Sequence, residues 1–380
     1  MASEPDLEPN EELELKNTVV SLSYRGPGRI ADPNFKFFQE PRAHPKLVEA
    51  FRAFGFDGSQ PDPFSQIRWD DPGSRSQMAW SEATTTKLYN TMPNDLPEDE
   101  EEPEVDQETR TFTSFDGVER KLYIFRPANQ DRPLPCVVYL HGGGMVIMDT
   151  ANKVHFRWCM SLAVQGIVAI AVDFRNAYSR GKHNPFPIGL KDCASAVRHI
   201  ASNRSSFKVE KVVLQGEDGG GNLALATALM SKKEGWMGEL AGIYAYSPCI
   251  SNGYGWSDAR KLKELPSLYE CEGYWLYTTM LAGMGFYYSG EDIRNPLAWP
   301  YHASIEDCVG LPPHALAMDE LDPLRDEGMA YHRKLLAAGV EANAQVNLGV
   351  VHATALMFRK LIPEAHLKVT RDIAAFVKSL

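Results

Sequence analysis

Residues 214–224 read LQGEDGGGNLA, with a hydrophobic run before them and a helical apolar pattern after. Gly216 and Gly220 bracket Asp218 at the spacing of a sharp strand-to-helix turn, the kind that lifts one side chain out for nucleophilic attack. The usual occupant of that position is serine, which needs a base to become a nucleophile. An aspartate is already ionised near neutral pH. Its attack on an ester carbonyl would give an anhydride and expel a far more basic alkoxide, so partition favours return to substrate. Attack on a saturated carbon differs: opening an epoxide or displacing a halide leaves an ester on Asp218, which an activated water can hydrolyse. The carboxylate can also serve as a general base for water, or as half of an acid–base pair for elimination, isomerisation or cyclisation.

Three further stretches can complete such a site. HGGG (141–144) follows a hydrophobic run, and consecutive glycines let backbone N–H groups turn into a cleft as an oxyanion hole. A plain tight turn would look the same. In DELDPLRDEG (319–328), Asp322 stands before a proline at a helix start, where a carboxylate orients a histidine or simply caps the helix. GVVH (349–352) ends on His352, which follows both carboxylates in the chain. The order nucleophile, acid, base at 218, 322 and 352 singles this histidine out from the other nine.

Side chains so far apart in sequence need a frame that brings them to one edge. From residue 109 onward the chain supplies one. TRTFTSFDG and RKLYIFRPA alternate around Asp116-Gly117 as a β-hairpin. Buried strands are expected at 135–141, 166–174, 209–216, 240–248, 314–320 and 341–349. Helices are expected at 44–55, 188–203, 222–233, 326–339 and the C-terminus. Continuous Val/Ile/Leu/Ala strands alternating with helices imply an α/β fold with a mostly parallel sheet covered on both faces. Ligands bind at the C-terminal strand ends of such sheets, where all four stretches fall. Residues 56–110 read as short, broken pieces, and an aromatic-rich insertion at about 250–300 is placed to form a lid.

Composition narrows the function. With 44% hydrophobic and 23% charged residues among 380, the chain has material for a sizeable core. The net charge of −11 argues against nucleic acid or an anionic membrane as the main partner. Nine carboxylates and no base lie between Asp95 and Glu108, the composition of a solvated linker. No secretory signal or membrane-spanning run is visible, and the six cysteines are scattered without CxxC pairs. A cytoplasmic protein with buried thiols is expected. The histidines lack metal-ligand spacing and no nucleotide fingerprint appears, so neither metal nor cofactor is expected, and the partner is a small-molecule substrate.

HGGG, VDFRNA…HNPFPIGLKDC, GEDGGGNLA, DELDPLRDEG and GVVH together resemble the hormone-sensitive-lipase-like α/β-hydrolases in order and spacing, over roughly residues 105–380. HFRWC, ELPSLYE and NPLAWPY look closest to the brefeldin A esterase branch of that family. The resemblance implies an α/β-hydrolase fold with a helical cap. It divides the chain into an arm and cap segment with acidic linker (1–105) and a hydrolase domain (106–380) with a lid insertion. It implies an oxyanion hole from the amides of Gly143, Gly144 and Gly219, Asp322 as the acid, His352 as the base, and a monomer or homodimer. The departures are Asp218 in place of serine and Ala353 where a glycine usually follows the histidine. Epoxide hydrolases and haloalkane dehalogenases resemble an Asp–His–Asp arrangement on the same fold and help the leaving atom with tyrosine hydroxyls or indole N–H groups. Tyr178, Tyr254, Trp256, Tyr274 and Trp275 are candidate substrate-binding residues of those types. The expected function is hydrolysis of a small apolar ester, lactone or epoxide, with Asp218 as nucleophile or general base. The alternatives are a non-hydrolytic cyclase or lyase of specialised metabolism and an inactive or deliberately inactivated ligand-binding relative.

Overall fold

The computed structural model describes residues 28–56, 74–91, 94, 104–179 and 181–380. Most of the expected N-terminal arm, and residues 95–103 of the acidic run, lie outside the described residues.

An 8-stranded sheet runs in the order β1-β2-β4-β3-β5-β6-β7-β8. Its strands are β1 (Val105–Thr113), β2 (Glu119–Pro127), β3 (Leu134–Leu140), β4 (Val168–Val172), β5 (Val209–Glu217), β6 (Gly242–Tyr246), β7 (His314–Asp319) and β8 (Ala342–Asn347). The hairpin of β1 and β2 is antiparallel, and so is the β2–β4 pair; every pair from β4 through β3 to β8 is parallel. Parallel strands need crossovers and become buried on both faces. Accordingly β4, β6 and β7 are buried at every position.

The strand pleat sends alternate residues into two cores. Cys136, Val138 and Leu140 enter one; Val137 and Tyr139 enter the other. The first core is covered by α4 (Ile188–Ser202), α5 (Gly219–Glu234) and α8 (Arg325–Ala337). The second is covered by α3 (Lys153–Val164) and the C-terminal α9 (Pro363–Ser379). On the N-terminal side, α1 (Pro45–Phe54) joins the second core through Leu47 and Phe51 and stops at Gly55, which takes a left-handed backbone. Helix α5 is buried from Gly219 to Ser231, which is why its sequence shows little amphipathic pattern.

Two features depart from the sequence expectation. Residues 74–91, expected as broken pieces, form an 18-residue helix, α2 (Ser74–Thr91). Helix formers such as Ala79, Lys87 and Leu88 favour it, while its polar run hides the period. Residues 153–164, for which no element was expected, form α3. The connection from β6 to β7 carries α6 (Asp258–Glu264) and α7 (Thr278–Ser289).

Candidate active site

Strand β5 ends at Glu217 and helix α5 begins at Gly219, leaving Asp218 alone at the corner with φ 51° and ψ −120°. For a residue with a Cβ this left-handed backbone costs about 1–3 kcal/mol and persists only where neighbours enforce it. Here the Asp218 N–H donates to the carbonyl of Tyr246, and its carbonyl accepts from Asn222 and Cys249. The corner is tight: a Cβ on Gly220 would collide with the Leu140 carbonyl.

The loop after β3 faces that corner. Gly143 sits at φ 101°, a conformation open to glycine, and this turns successive amides in one direction. The N–H groups of Gly143 and Gly144 both donate to Asp218 Oδ2, each at 2.8 Å. The remaining oxygen, Oδ1, is buried, without a hydrogen bond, and lies 3.9 Å from His352 Nε2. Two convergent amides therefore hold the protein's own carboxylate. Gly219 abuts the same loop at Gly144 and Met145.

His352 follows β8 and Asp322 follows β7, adjacent parallel strands. Their side chains meet at 2.9 Å between Nδ1 and Oδ2, while Asp322 Oδ1 accepts from the Leu324 amide. Burial alone would lower the imidazole pKa. The charge and hydrogen bond of Asp322, with Asp218 adding to them, raise it to about 9 instead. The imidazole thus sits between the Asp322 and Asp218 side chains and holds its proton more tightly than an ordinary histidine.

Three further residues complete the surroundings, and sequence reasoning did not select them. Glu217 accepts from the Gly142 amide at 2.7 Å and from the Tyr139 hydroxyl at 2.8 Å, anchoring the glycine loop. Burial pushes its carboxyl up to about 8, against those two bonds. Asp319 accepts from Tyr246 and Asn347 and so ties β7 to β6 and β8 beneath Asp322 and His352; burial pushes it up to about 7. Tyr89 of α2 reaches the site from above. The signal for Glu217 was a carboxylate beside the corner on a strand with no other acid near its end.

A cavity of about 320 Å³ opens onto Asp218, Gly143, Gly144 and His352. Its walls are largely apolar: Met280, Leu281 and Met284 from α7, Leu88 from α2, and Trp275. Of the five aromatic candidates, Trp275 lines it, packed against Phe51, Phe56 and Phe358. The other four do not line it. Tyr254 bonds to Cys249 and Glu327, and Tyr274 to Glu40. Tyr178 packs edge-on against Tyr287, and Trp256 lies under Arg260, 3.7 Å from ring centre to guanidinium carbon. Cys249 and Arg260 are local partners, whereas Glu327, Glu40 and Tyr287 lie far off in the chain, a choice residue type does not encode.

All six cysteines are free and buried. Among the described residues no cluster of His, Cys, Asp or Glu is arranged to hold a metal ion, and no helix is long and apolar enough to cross a membrane.

Residues 137–356 match a family described as alpha/beta hydrolase fold. The structure of brefeldin A esterase, a bacterial homologue of human hormone-sensitive lipase, aligns with a TM-score of 0.88 at 42% identity, covering 93% of this chain and 98% of that one. Esterase Est22 aligns with a TM-score of 0.77 at 30% identity, covering 90% and 99%. Carboxylesterase NlhH of Mycobacterium tuberculosis is 28% identical over 287 residues, 73% of this chain and 84% of NlhH.

Proposed function

This chain belongs to the α/β-hydrolase family, in its hormone-sensitive-lipase-like group, and we propose that it hydrolyses a small apolar epoxide, in preference to an ester or lactone, through a covalent ester on Asp218. The observation that carries this reading is the pair of 2.8 Å bonds from Gly143 and Gly144 to Asp218 Oδ2. An ester substrate needs those amides for its own developing oxyanion and would have to evict an anion to reach them. An epoxide does not.

One oxygen of Asp218 attacks a ring carbon as the carbon–oxygen bond breaks, and the electron pair leaves on oxygen. With Oδ2 held by two amides, Oδ1 is the oxygen with free lone pairs; it is covered at rest, so substrate entry has to open a path to it. The resulting ester keeps its carbonyl oxygen in the amide pair. Attack then removes one of the charges that hold the proton on His352. The imidazolium gives that proton to the oxygen released from the ring carbon and, now neutral, becomes a base for water, with Asp322 fixing its orientation. Water adds to the ester carbonyl, the oxyanion forms where two N–H groups already point, and collapse gives a diol and restores the carboxylate.

In this reading α2 and the connection around α6 and α7 form the cap, and the cavity volume sets the substrate at the small end of the usual range for ligand clefts. A second reading, acid–base chemistry without a covalent step, draws support from the imidazolium of His352 beside the carboxylate of Asp218. Intact-mass measurement of His352→Gln with excess styrene oxide separates the two. The covalent route requires one adduct per chain to accumulate on Asp218; a chain that turns substrate over without an adduct follows the second.

A further inference from the structure

Asp218 is followed by glycine, and in an Asp-Gly pair no Cβ crowds the peptide nitrogen next to the carboxyl. The sequence holds two other such pairs: Asp57-Gly58, which lies outside the described residues, and Asp116-Gly117. We propose that Asp218-Gly219 is a self-modification site, where the Gly219 nitrogen closes on the Asp218 side chain to form a succinimide and water leaves. This does not depend on which reaction Asp218 performs on a substrate.

A succinimide ring joins Cγ, Cβ, Cα and the carbonyl carbon of residue 218 to the nitrogen of residue 219. Ring closure needs that nitrogen to eclipse Cβ. Tetrahedral geometry at Cα brings the two into line when ψ is −120°, the value that Asp218 has. Helix and strand residues lie far from it. The corner therefore imposes the ring's backbone torsion and leaves only rotation about Cα–Cβ to be set. Gly219 also opens a 16-residue helix, so its N–H has no acceptor within that helix.

The oxygens that the ring keeps are the ones the fold already holds. Oδ2 becomes one imide oxygen and accepts from Gly143 and Gly144 at 2.8 Å. The main-chain carbonyl of Asp218 is the other, and it accepts from Asn222 and Cys249 at 3.1 Å each. The oxygen that leaves, Oδ1, is buried without a hydrogen bond, a costly state for a polar atom. In closure the Gly219 nitrogen bonds to Cγ, and the carbonyl electron pair moves onto Oδ2 between the two amides. Collapse then breaks the Cγ–Oδ1 bond. Oδ1 departs as water with one proton from the Gly219 N–H and one from His352, whose Nε2 lies 3.9 Å away. The site has lost its carboxylate until water reopens the ring.

Asp116-Gly117 carries the same chemistry in the opposite surroundings. Arg175 binds both Asp116 oxygens, at 2.7 and 3.1 Å, and holds this carboxyl below the usual range. The Gly117 N–H donates to the Ser114 carbonyl at 3.0 Å. There the carboxylate is kept ionised and the nitrogen engaged, so one chain supplies both the test site and its control.

The native chain, with no substrate added, is held at neutral pH and sampled into hydroxylamine, which converts the ring to a hydroxamate that peptide mass spectrometry locates. Residue 218 should be trapped at least about tenfold faster than residue 116, a small part of what a held near-attack geometry supplies. In urea the two rates should become equal, because each then rests on the dipeptide alone. His352→Gln should slow trapping at 218 and leave 116 unchanged; an unslowed variant overturns the proton transfer given to His352. Trapping at 218 no faster than at 116 in the native chain overturns the proposal. So does a rate at 218 that is the same folded and in urea. Either failure leaves the nucleophilic reading of Asp218 standing, since no electrophile is present.

Discussion

The carboxylate of Asp218 is bound by the amide of Gly144 at 2.8 Å, with Gly143 donating to the same oxygen. An acyl-transfer enzyme keeps this position free for substrate. Asp218→Ser empties it and also removes a carboxylate that keeps His352 protonated. Hydrolysis of p-nitrophenyl butyrate should then rise by about 10²-fold or more over the parent chain, the scale set by a single oxyanion-hole donor. A folded Ser variant with no gain would show that the amide pair does not serve acyl transfer even when vacated.

Asp322→Asn keeps the shape beside His352 but removes the charge that does most to hold its proton. The corresponding change in serine-hydrolase triads costs about 10⁴-fold in kcat. Here the loss should fall on ester hydrolysis, so rapid-quench mass spectrometry should show a normal opening burst followed by a stalled adduct. Equal slowing of both phases would place Asp322 in the first step instead.

Several shifted groups shape the pH dependence of stability, Glu217 and His352 among them. Glu217 has a folded value of about 8 against an ordinary 4.5, and His352 about 9 against 6.5. In both cases the folded chain holds its proton more tightly, so stability falls as pH rises, from about 4.5 to 8 for Glu217 and from about 6.5 to 9 for His352. Glu217→Gln retains an oxygen for the Gly142 amide and the Tyr139 hydroxyl but cannot ionise. Its Tm by calorimetry should fall less steeply than the parent's from pH 5 to 6.5, because Asp319 and Glu327, raised to about 7 and 8, still titrate there, and it should keep the later fall. A variant that tracks its parent throughout would exclude Glu217 as the titrating group.

A methyl group on Gly219 would collide with the Gly144 backbone and the Met145 amide nitrogen. Gly219→Ala should cost about 1–3 kcal/mol in urea denaturation, the usual price of overpacking. It should also slow adduct formation by pushing the loop off Asp218. Unchanged stability and labelling would show that the loop yields freely.

The frame was far more legible than the pocket. Runs such as VVYL and VVLQ announce buried parallel strands because both faces select the same residue types, and Asp218, Asp322 and His352 each follow such a run, so topology alone carries them to one edge. Their 2.9 and 3.9 Å separations are products of that topology. Helix α2 escaped notice because it lies over a cavity, where Trp80, Thr84 and Leu88 share a face without forming an apolar stripe. Tyr89 was hidden with it. Tyr254 and Tyr274 lie away from the cavity for a different reason: their hydroxyls are satisfied against buried acids, Glu327 and Glu40, that lie remote in sequence.

The central claim is that water attacks an ester on Asp218 and not the substrate itself. A single turnover of styrene oxide by excess enzyme in ¹⁸O-water, with mass spectrometry of the peptide containing residue 218, tests it directly. The account requires the heavy oxygen in the Asp218 carboxylate and an unlabelled diol. A labelled diol beside an unlabelled carboxylate would contradict it.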